Sequence, residues 1–426
     1  MSIGSKKTIV NILPHQSAYD YFKDKELPGK NWRNKKGEVV GITGNEFPHS
    51  LGNAILKLTD MFNYEVWQPD LRADEVISHT FENSLVYRLF PAVNKKKLYG
   101  LKIINEIHSE CMLREIEKKA KDENILVHLN GNPLEFNKNI LEILEKINNT
   151  PTTFSFLGVI NLPSTQFFTL TKNLPSKIDH LFEHFWIKQH IGKIKYITYC
   201  NDKNLNHLKR IYKGKMEKIT MGCDFSFFKK GDKERCRKEL VLPKDKFIMA
   251  SVASFRDIKQ IDKFIKVLIE IMDKYDFLYL VIGHGDEKYE NYLQKIATPL
   301  LKEGKIQFPG YMRGENLLKY LNSADLFIST SCSEGASVST IEAFACELPV
   351  FSTKTGGTAE LMEKEQVGCL VGIKNYVEWK EKLENILKNK QLPKVLNRDI
   401  AREHYDWENI AKRFIKIYKS LLNQRL

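Results

Sequence analysis

Residues 333–361 read SEGASVSTIEAFACELPVFSTKTGGTAEL. A small, hydroxyl-rich segment lies between Glu334 and Glu342, runs into an Ala-rich helical pattern and ends in the turn-forming pair Gly356–Gly357. Just upstream, DLFISTS (325–331) is a short apolar run of strand type. A strand that turns through small residues into a helix leaves backbone N–H groups without intrahelical acceptors, and the helix dipole favours an anion there. Ser337 and Val338 fall at that point, and Gly335 and Ala336 are small enough to admit a diphosphate close to the backbone. Glu334 and Glu342 are separated by about two helical turns, so they suit two different hydroxyl-bearing groups rather than one atom. The bland alternative makes Glu334 a helix cap and Glu342 an exposed helix charge.

The same strand–helix alternation extends outward in both directions. Strand candidates in the C-terminal half are FIMASVA (247–253), FLYLVIG (277–283), KIQFPG (305–310), DLFISTS, LPVFSTK (348–354) and GCLVG (368–372). In the N-terminal half they are EVVGIT (38–43), YEVWQ (64–68), ILVHL (125–129), TTFSFLGV (152–159) and KYITYC (195–200). Helical patterns intervene, among them NAILKLTDMF (53–62) and PLEFNKNILEILEKI (133–147). This alternation predicts an α/β chain with two parallel sheets, each covered on both faces. The polar segment 1–37 reads as an irregular extension, and the charged, aperiodic stretch 224–240 reads as a linker. In open parallel sheets ligands bind beyond the carboxyl ends of the strands, so a cleft between the two sheets is the expected site.

Length and composition agree with this reading. A chain of 426 residues is too long for one core. No apolar run reaches 18 residues, so no spanning helix is expected, and the amino-terminal stretch is too interrupted for a secretory signal. Seven scattered cysteines without metal-ligand spacing suit reduced thiols in a cytoplasmic protein and no metal site. A formal charge of +13 points to an anionic partner. The basic stretches 93–102, 114–122 and 208–218, with aromatic residues in 180–190, suit peripheral contact with an anionic membrane surface. Nothing resembles a nucleic-acid-binding motif, so no nucleic-acid partner is expected.

The residues EGASVSTIEAFACELPV followed by TGGTAEL resemble the donor-site signature of the retaining glycosyltransferases of family 4, within glycosyl transferases group 1. One departure is Glu347, where that pattern has glycine, and it falls at a helix C-terminus. SVASFRDIKQID (251–262), LYLVIGHGDEKYENYL, IQFPGYMRGENLLKYLNSADLFISTS, ITMGCDFSFF (with Met221 for an asparagine) and AREHYDWENIAKRFIKIY extend the resemblance from about 219 to 420. It implies a GT-B fold: two Rossmann-like parallel-sheet domains facing a central cleft. The expected domains are an acceptor-side unit at 1–227, a nucleotide-sugar unit at 228–406 and a closing helix at 407–426 that packs back on the first.

From 38 to 160 the resemblance is partial. GITGNEFPHSLGNAILKL resembles a loop that approaches the donor phosphate; Gly52 stands, but Asn53 replaces a second glycine and Ile55 a glutamate. NILVHLNGNP resembles a strand that would turn His128 and Asn130 to the cleft. In TPTTFSFLGVINLP, Leu157 precedes Gly158 where relatives carry a histidine that contacts the donor sugar, and His49, His128 and Asn130 are its candidate substitutes.

The resemblance implies transfer of a sugar, with retention, from a UDP- or GDP-linked donor to a saccharide or lipid-linked hydroxyl acceptor, with no further cofactor and no metal. Glu334, Arg256, Lys259 and His128 are the expected catalytic residues. Gly335, Ala336, Ser337, Val338, Glu342, Gly52, Asn53, Gly283, Tyr311, Met312 and Arg313 are expected at the donor. Arg256 and Lys259 would face the diphosphate, Glu342 the ribose, Glu334 the sugar, and the backbone at Tyr311–Arg313 the base. A sugar-nucleotide-binding protein without turnover, an epimerase and a phosphorylase are the other readings of the same fold.

Overall fold

The structure, a computed structural model, describes residues 6–13, 47–99, 102–121, 125–131, 137–147, 150–157 and 190–423. The expected strand at 38–43, Gly158 and most of the aromatic stretch 180–190 lie outside the described residues. The chain divides into two compact units, Met1–Ile219 with Ile410–Leu426, and Thr220–Asn409.

The first unit contains β1 (Lys7–Ile12), β2 (Phe62–Asp70), β3 (Ile77–Thr80), β4 (Val86–Pro91), β5 (Val93–Tyr99), β6 (Lys102–His108), β7 (Ile125–Asn130), β8 (Thr152–Phe156), β9 (Tyr196–Tyr199) and β10 (Lys215–Lys218). Eight of these form one sheet in the order β10-β9-β8-β7-β1-β2-β4-β3. Its pairs are parallel except the edge pair β3–β4, while β5 and β6 form a separate antiparallel hairpin. The segment expected to be irregular therefore carries a central strand: β1 lies between β2 and β7, with Val10 opposite both Glu65 and Val127. Asn11 interrupts its apolar run, and that residue is fully buried because neighbouring side chains bond it. The first helix is Phe47–Leu58 rather than 53–62, and Phe62 already belongs to β2.

The final helix, Trp407–Asn423, buries Ile410, Phe414, Ile417, Tyr418 and Leu421 at helical spacing. From Ile410 onward it belongs to the first unit, where Phe414 meets Phe47 edge-on at 5.8 Å and Arg413 Nε donates to Glu217 Oε1 at 2.7 Å.

The second unit has a single parallel sheet of β11 (Phe247–Phe255), β12 (Phe277–Gly285), β13 (Ile306–Gly310), β14 (Leu326–Ser329), β15 (Val350–Thr353) and β16 (Cys369–Val371), ordered β13-β12-β11-β14-β15-β16. Residues Ile248, Ala250, Leu278, Leu280 and Ile282 face one apolar cluster, whereas the alternate Met249, Tyr279 and Val281 face another. Burial on both faces explains the continuous apolar runs of these strands. The stretch expected to be a linker carries a helix instead, Lys233–Glu239. Its Arg237 is buried and donates to the carbonyls of Ser323 and Lys244 and to Asp325 Oδ2, all within the second unit. Among the described residues no helix is long and apolar enough to cross a membrane.

The order of strands reverses between β11 and β14. Successive strands run from β11 to β13 on one side and from β14 to β16 on the other, which opens a crevice at the carboxyl ends of the central pair.

Candidate functional site

Two chain segments meet at that crevice. After β11 the chain passes Arg256 and a 3₁₀ turn, Asp257–Lys259, before the helix Ile261–Ile271. After β14 it passes Thr330–Ser331 and Glu334 before the helix Val338–Ala345. Lys259 Nζ donates to Glu334 Oε1 at 2.5 Å, and Ser331 Oγ donates to the same oxygen at 2.7 Å. The two charged side chains keep only 18% and 14% of their surface exposed, so this pair is far less screened than an ordinary surface ion pair. A pocket beside it is lined by Ser251, Ala253, Thr330, Ser337 and Ser339 together with the pair itself.

The cap of the helix Val338–Ala345 is Ser337, whose Oγ accepts from Thr340 N. Glu334 is thus not the cap; it is committed to Lys259. The amides of Val338 and Ser339 lie in the first helical turn, where no carbonyl of the helix can accept from them. A close backbone approach holds the loop in place: Gly357 N donates to Gly335 O at 2.8 Å, and Gly356 sits at φ +79° with a would-be Cβ only 2.9 Å from the Glu334 Cβ. The glycine pair after β15 therefore serves the loop that carries Glu334.

Glu342 is half-buried rather than an exposed helix charge, and desolvation pushes its carboxyl up to about 8. Two thiols, Cys223 and Cys346, are buried near enough to feel its charge, and burial raises both, Cys346 to about 12. Arg256, expected to join Lys259, is exposed and directs Nε to Ser254 Oγ at 3.2 Å. The structure brings Lys259, and not Arg256, to the acidic residue.

Gly283 has a packing reason for its identity. It lies opposite Ala253 in the β11–β12 pair at φ +140°, and a Cβ there would stand 1.8 Å from the Ala253 carbonyl oxygen. Tyr311, Met312 and Arg313 are half-buried in the loop after β13, where the Tyr311 ring meets His284 edge-on at 5.2 Å and Met312 packs on the apolar cluster. Arg313 leads directly into the helix Gly314–Ser323.

The residues expected from the first unit have other duties. Gly52 is not in a phosphate loop but inside the helix Phe47–Leu58, where a Cβ would stand 2.6 Å from the Tyr64 ring and 2.7 Å from Leu85. Asn53, on the same helix, accepts from Asn83 Nδ2 at 2.8 Å. His128 is fully buried. Its Nδ1 faces the Tyr418 hydroxyl at 2.7 Å and Asn11 Nδ2 at 3.3 Å, and its Nε2 faces Ser155 Oγ at 2.7 Å. Asn11 can only donate through its amide nitrogen, which assigns the ring proton to Nε2. Desolvation holds this imidazole down to about 3, and the ring is a core residue without access to substrate. Asn130 is likewise buried, donating to Asn11 and to Ile12 O. His49 is buried against Phe81 and Tyr87, and burial lowers it to about 4. Leu157 is half-buried just past β8.

Comparison with known proteins now bears on the second unit. Residues 232–419 match the family described as glycosyl transferases group 1. The N-acetyl-alpha-D-glucosaminyl L-malate synthase of Bacillus anthracis is 24% identical over 199 residues, covering 46% of this chain and 51% of that protein. The chain spans about half or less of the length of the curated relatives it matches. Among solved structures, the sucrose-phosphate synthase of Thermosynechococcus elongatus superposes with a TM-score of 0.69 at 18% identity, over 98% of this chain and all of that one. Anabaena HepE in complex with UDP gives 0.66 at 14% identity, over 97% of this chain and all of that one. These likenesses establish the fold as GT-B, an α/β fold with two Rossmann-like parallel-sheet domains.

Sequence reasoning did not single out Ser331, Thr330 and Thr353, three buried hydroxyls around the pair. Their signal was present in the STS that ends DLFISTS and the ST inside LPVFSTK: polar residues at the carboxyl ends of otherwise apolar strands.

Proposed function

We propose that the chain is a glycosyltransferase that carries a UDP- or GDP-linked sugar on its second unit and passes the sugar, with retention, to a hydroxyl of a saccharide or lipid-linked acceptor. The observation that carries this reading is the Lys259–Glu334 pair at the reversal between β11 and β14, beside the first turn of the helix Val338–Ala345. A desolvated cation and free helix amides offer what a leaving diphosphate needs. In this reading the bond between the anomeric carbon and the diphosphate oxygen breaks, the acceptor oxygen bonds the anomeric carbon on the same face, and the acceptor proton passes to the leaving phosphate. Lys259 and the amides of Val338 and Ser339 stabilise the diphosphate, Glu334 receives sugar hydroxyls, and Glu342 receives the ribose hydroxyls. The loop Tyr311–Arg313 holds the base. The basic balance of +13 favours an acceptor presented at an anionic membrane surface.

A second reading, donor binding without transfer, has its own observation. By the family resemblance, Leu157 stands where a sugar-contacting histidine is expected, and both His49 and His128 are buried in the first unit. Incubation with UDP- and GDP-linked hexoses separates the two. Slow donor hydrolysis that disappears in Glu334→Ala supports transfer; tight binding with no turnover on any acceptor supports the second reading.

A further inference from the structure

We propose that Ser331 is the positioning residue of Glu334: it keeps the carboxylate in place for the donor sugar when the diphosphate draws Lys259 away. This rests on the donor-site reading above and adds to it a residue that acts through another. In the free protein Glu334 Oε1 accepts from both Lys259 Nζ at 2.5 Å and Ser331 Oγ at 2.7 Å. A lysine at the end of a flexible stem changes partner easily, and a diphosphate carries more charge than one carboxylate. Without the serine, Glu334 would follow the cation toward the phosphates. Ser331 prevents this because the backbone that carries its hydroxyl is fixed from behind.

The fixing is visible on both sides of the pair. Ser331 is 3% exposed, and its carbonyl accepts from Thr353 Oγ1 at 2.6 Å on the neighbouring strand β15. The lysine-bearing turn is bound to the same loop by Thr330 Oγ1, which donates to Lys259 O at 2.9 Å, and by Cys332 N, which donates to Ile258 O at 2.8 Å. Backbone positions on either side are therefore set by the sheet, and the two charged side chains are left to exchange partners. A hydrogen bond to a charged group in such a place is worth about a 10- to 100-fold effect when removed.

The test uses the full-length chain with three variants, Ser331→Ala, Ser331→Thr and Lys259→Ala, and two kinds of probe. UDP and GDP report the diphosphate alone; the UDP- and GDP-linked hexoses report the sugar as well. Binding is read by calorimetry and turnover by donor hydrolysis. The expected result for Ser331→Ala is unchanged affinity for the nucleoside diphosphate, with about a 10- to 100-fold loss of hydrolysis at saturating donor. Ser331→Thr, which retains the hydroxyl, recovers most of that loss. Lys259→Ala instead loses affinity for the nucleoside diphosphate itself. If Ser331→Ala turns over donor like the wild type, or if Ser331→Thr is as impaired as Ser331→Ala, the positioning role is overturned while the donor site stands. If the wild type binds neither UDP nor GDP, the donor site itself is overturned and this role falls with it.

Discussion

The two units spend buried polarity in different ways. In the first, Asn11, Tyr64, His128, Ser155, Thr198 and Tyr418 form a chain of buried hydrogen bonds between the sheet and the final helix. Every one of these groups serves the others, and such a network specifies one arrangement of the core. In the second, polar groups gather at the carboxyl ends of β11 and β14, where Lys259, Glu334, Ser331 and Ser337 line a pocket while bonding one another or the adjoining loops. The buried polar residues named in the first unit are enclosed in the core; those around the Lys259–Glu334 pair line a pocket. A histidine on a strand is uninformative in sequence because both uses look alike there.

The largest expected effect tests the rigidity of the second sheet. Gly283→Ala places a Cβ against the Ala253 carbonyl of a neighbouring strand, which cannot yield without separating β11 from β12. We expect a loss of at least about 4 kcal/mol, seen as failure to obtain folded protein or a collapse of the denaturant midpoint. Gly52→Ala in the first unit meets side chains, the Tyr64 ring and Leu85, which can shift slightly; a smaller loss of about 1–3 kcal/mol is expected in the same measurement.

Acid and base should separate the units next. His128, lowered to about 3, and His49, lowered to about 4, are held neutral by the fold. An unfolded chain takes up protons on both below about pH 6.5, so stability is retained above that pH and is lost as pH falls toward 4 and 3. Glu342, raised to about 8, has the opposite sign: the folded chain keeps its proton while the unfolded chain releases it above its ordinary value, so stability falls as pH rises from there to about 8. Chemical denaturation from pH 4 to pH 8 should show both slopes. His128→Asn should flatten the acid slope alone, and Glu342→Gln the other; equal slopes in both variants and the wild type would contradict the assignment.

The smallest effects concern two strained positions, both in the second unit. Glu347 at φ +54° follows the helix Val338–Ala345, and Val241 at φ +54° follows the helix Lys233–Glu239 with 89% of its surface exposed. Left-handed backbone favours glycine and penalises a β-branched residue most. Val241→Gly and Glu347→Gly should each raise stability by about 0.5–1 kcal/mol, read as a shifted melting temperature.

Legibility in the sequence follows the same division. The second unit was readable because its strands are buried on both faces: runs such as FIMASVA and FLYLVIG stand out, and each matches a strand of the sheet. Its helix Val338–Ala345 begins where the small residues predicted. Glu347 does lie at a helix C-terminus, at a left-handed position suited to the glycine it replaces. The first unit was less readable. Strand β1 is short and is broken by Asn11, a polar residue whose partners come from 53 and 119 positions away. Gly52 looked like a loop glycine because the sequence cannot show that Tyr64 lies beneath it. His128 looked available because the pattern gives no sign of Tyr418, 290 residues later. Around the pair, the sequence supplied Lys259 and Glu334 but not their direct contact, since a pairing across 75 positions depends on the strand order.

In the proposed function, the crevice between β11 and β14 binds a nucleoside diphosphate through Lys259. Calorimetry of UDP and GDP with the wild-type chain and with Lys259→Ala tests it most directly. Saturable binding of at least one nucleotide by the wild type is expected, with a loss of about tenfold or more in the variant. Binding of neither nucleotide by the wild type, or equal affinity in both proteins, would contradict it.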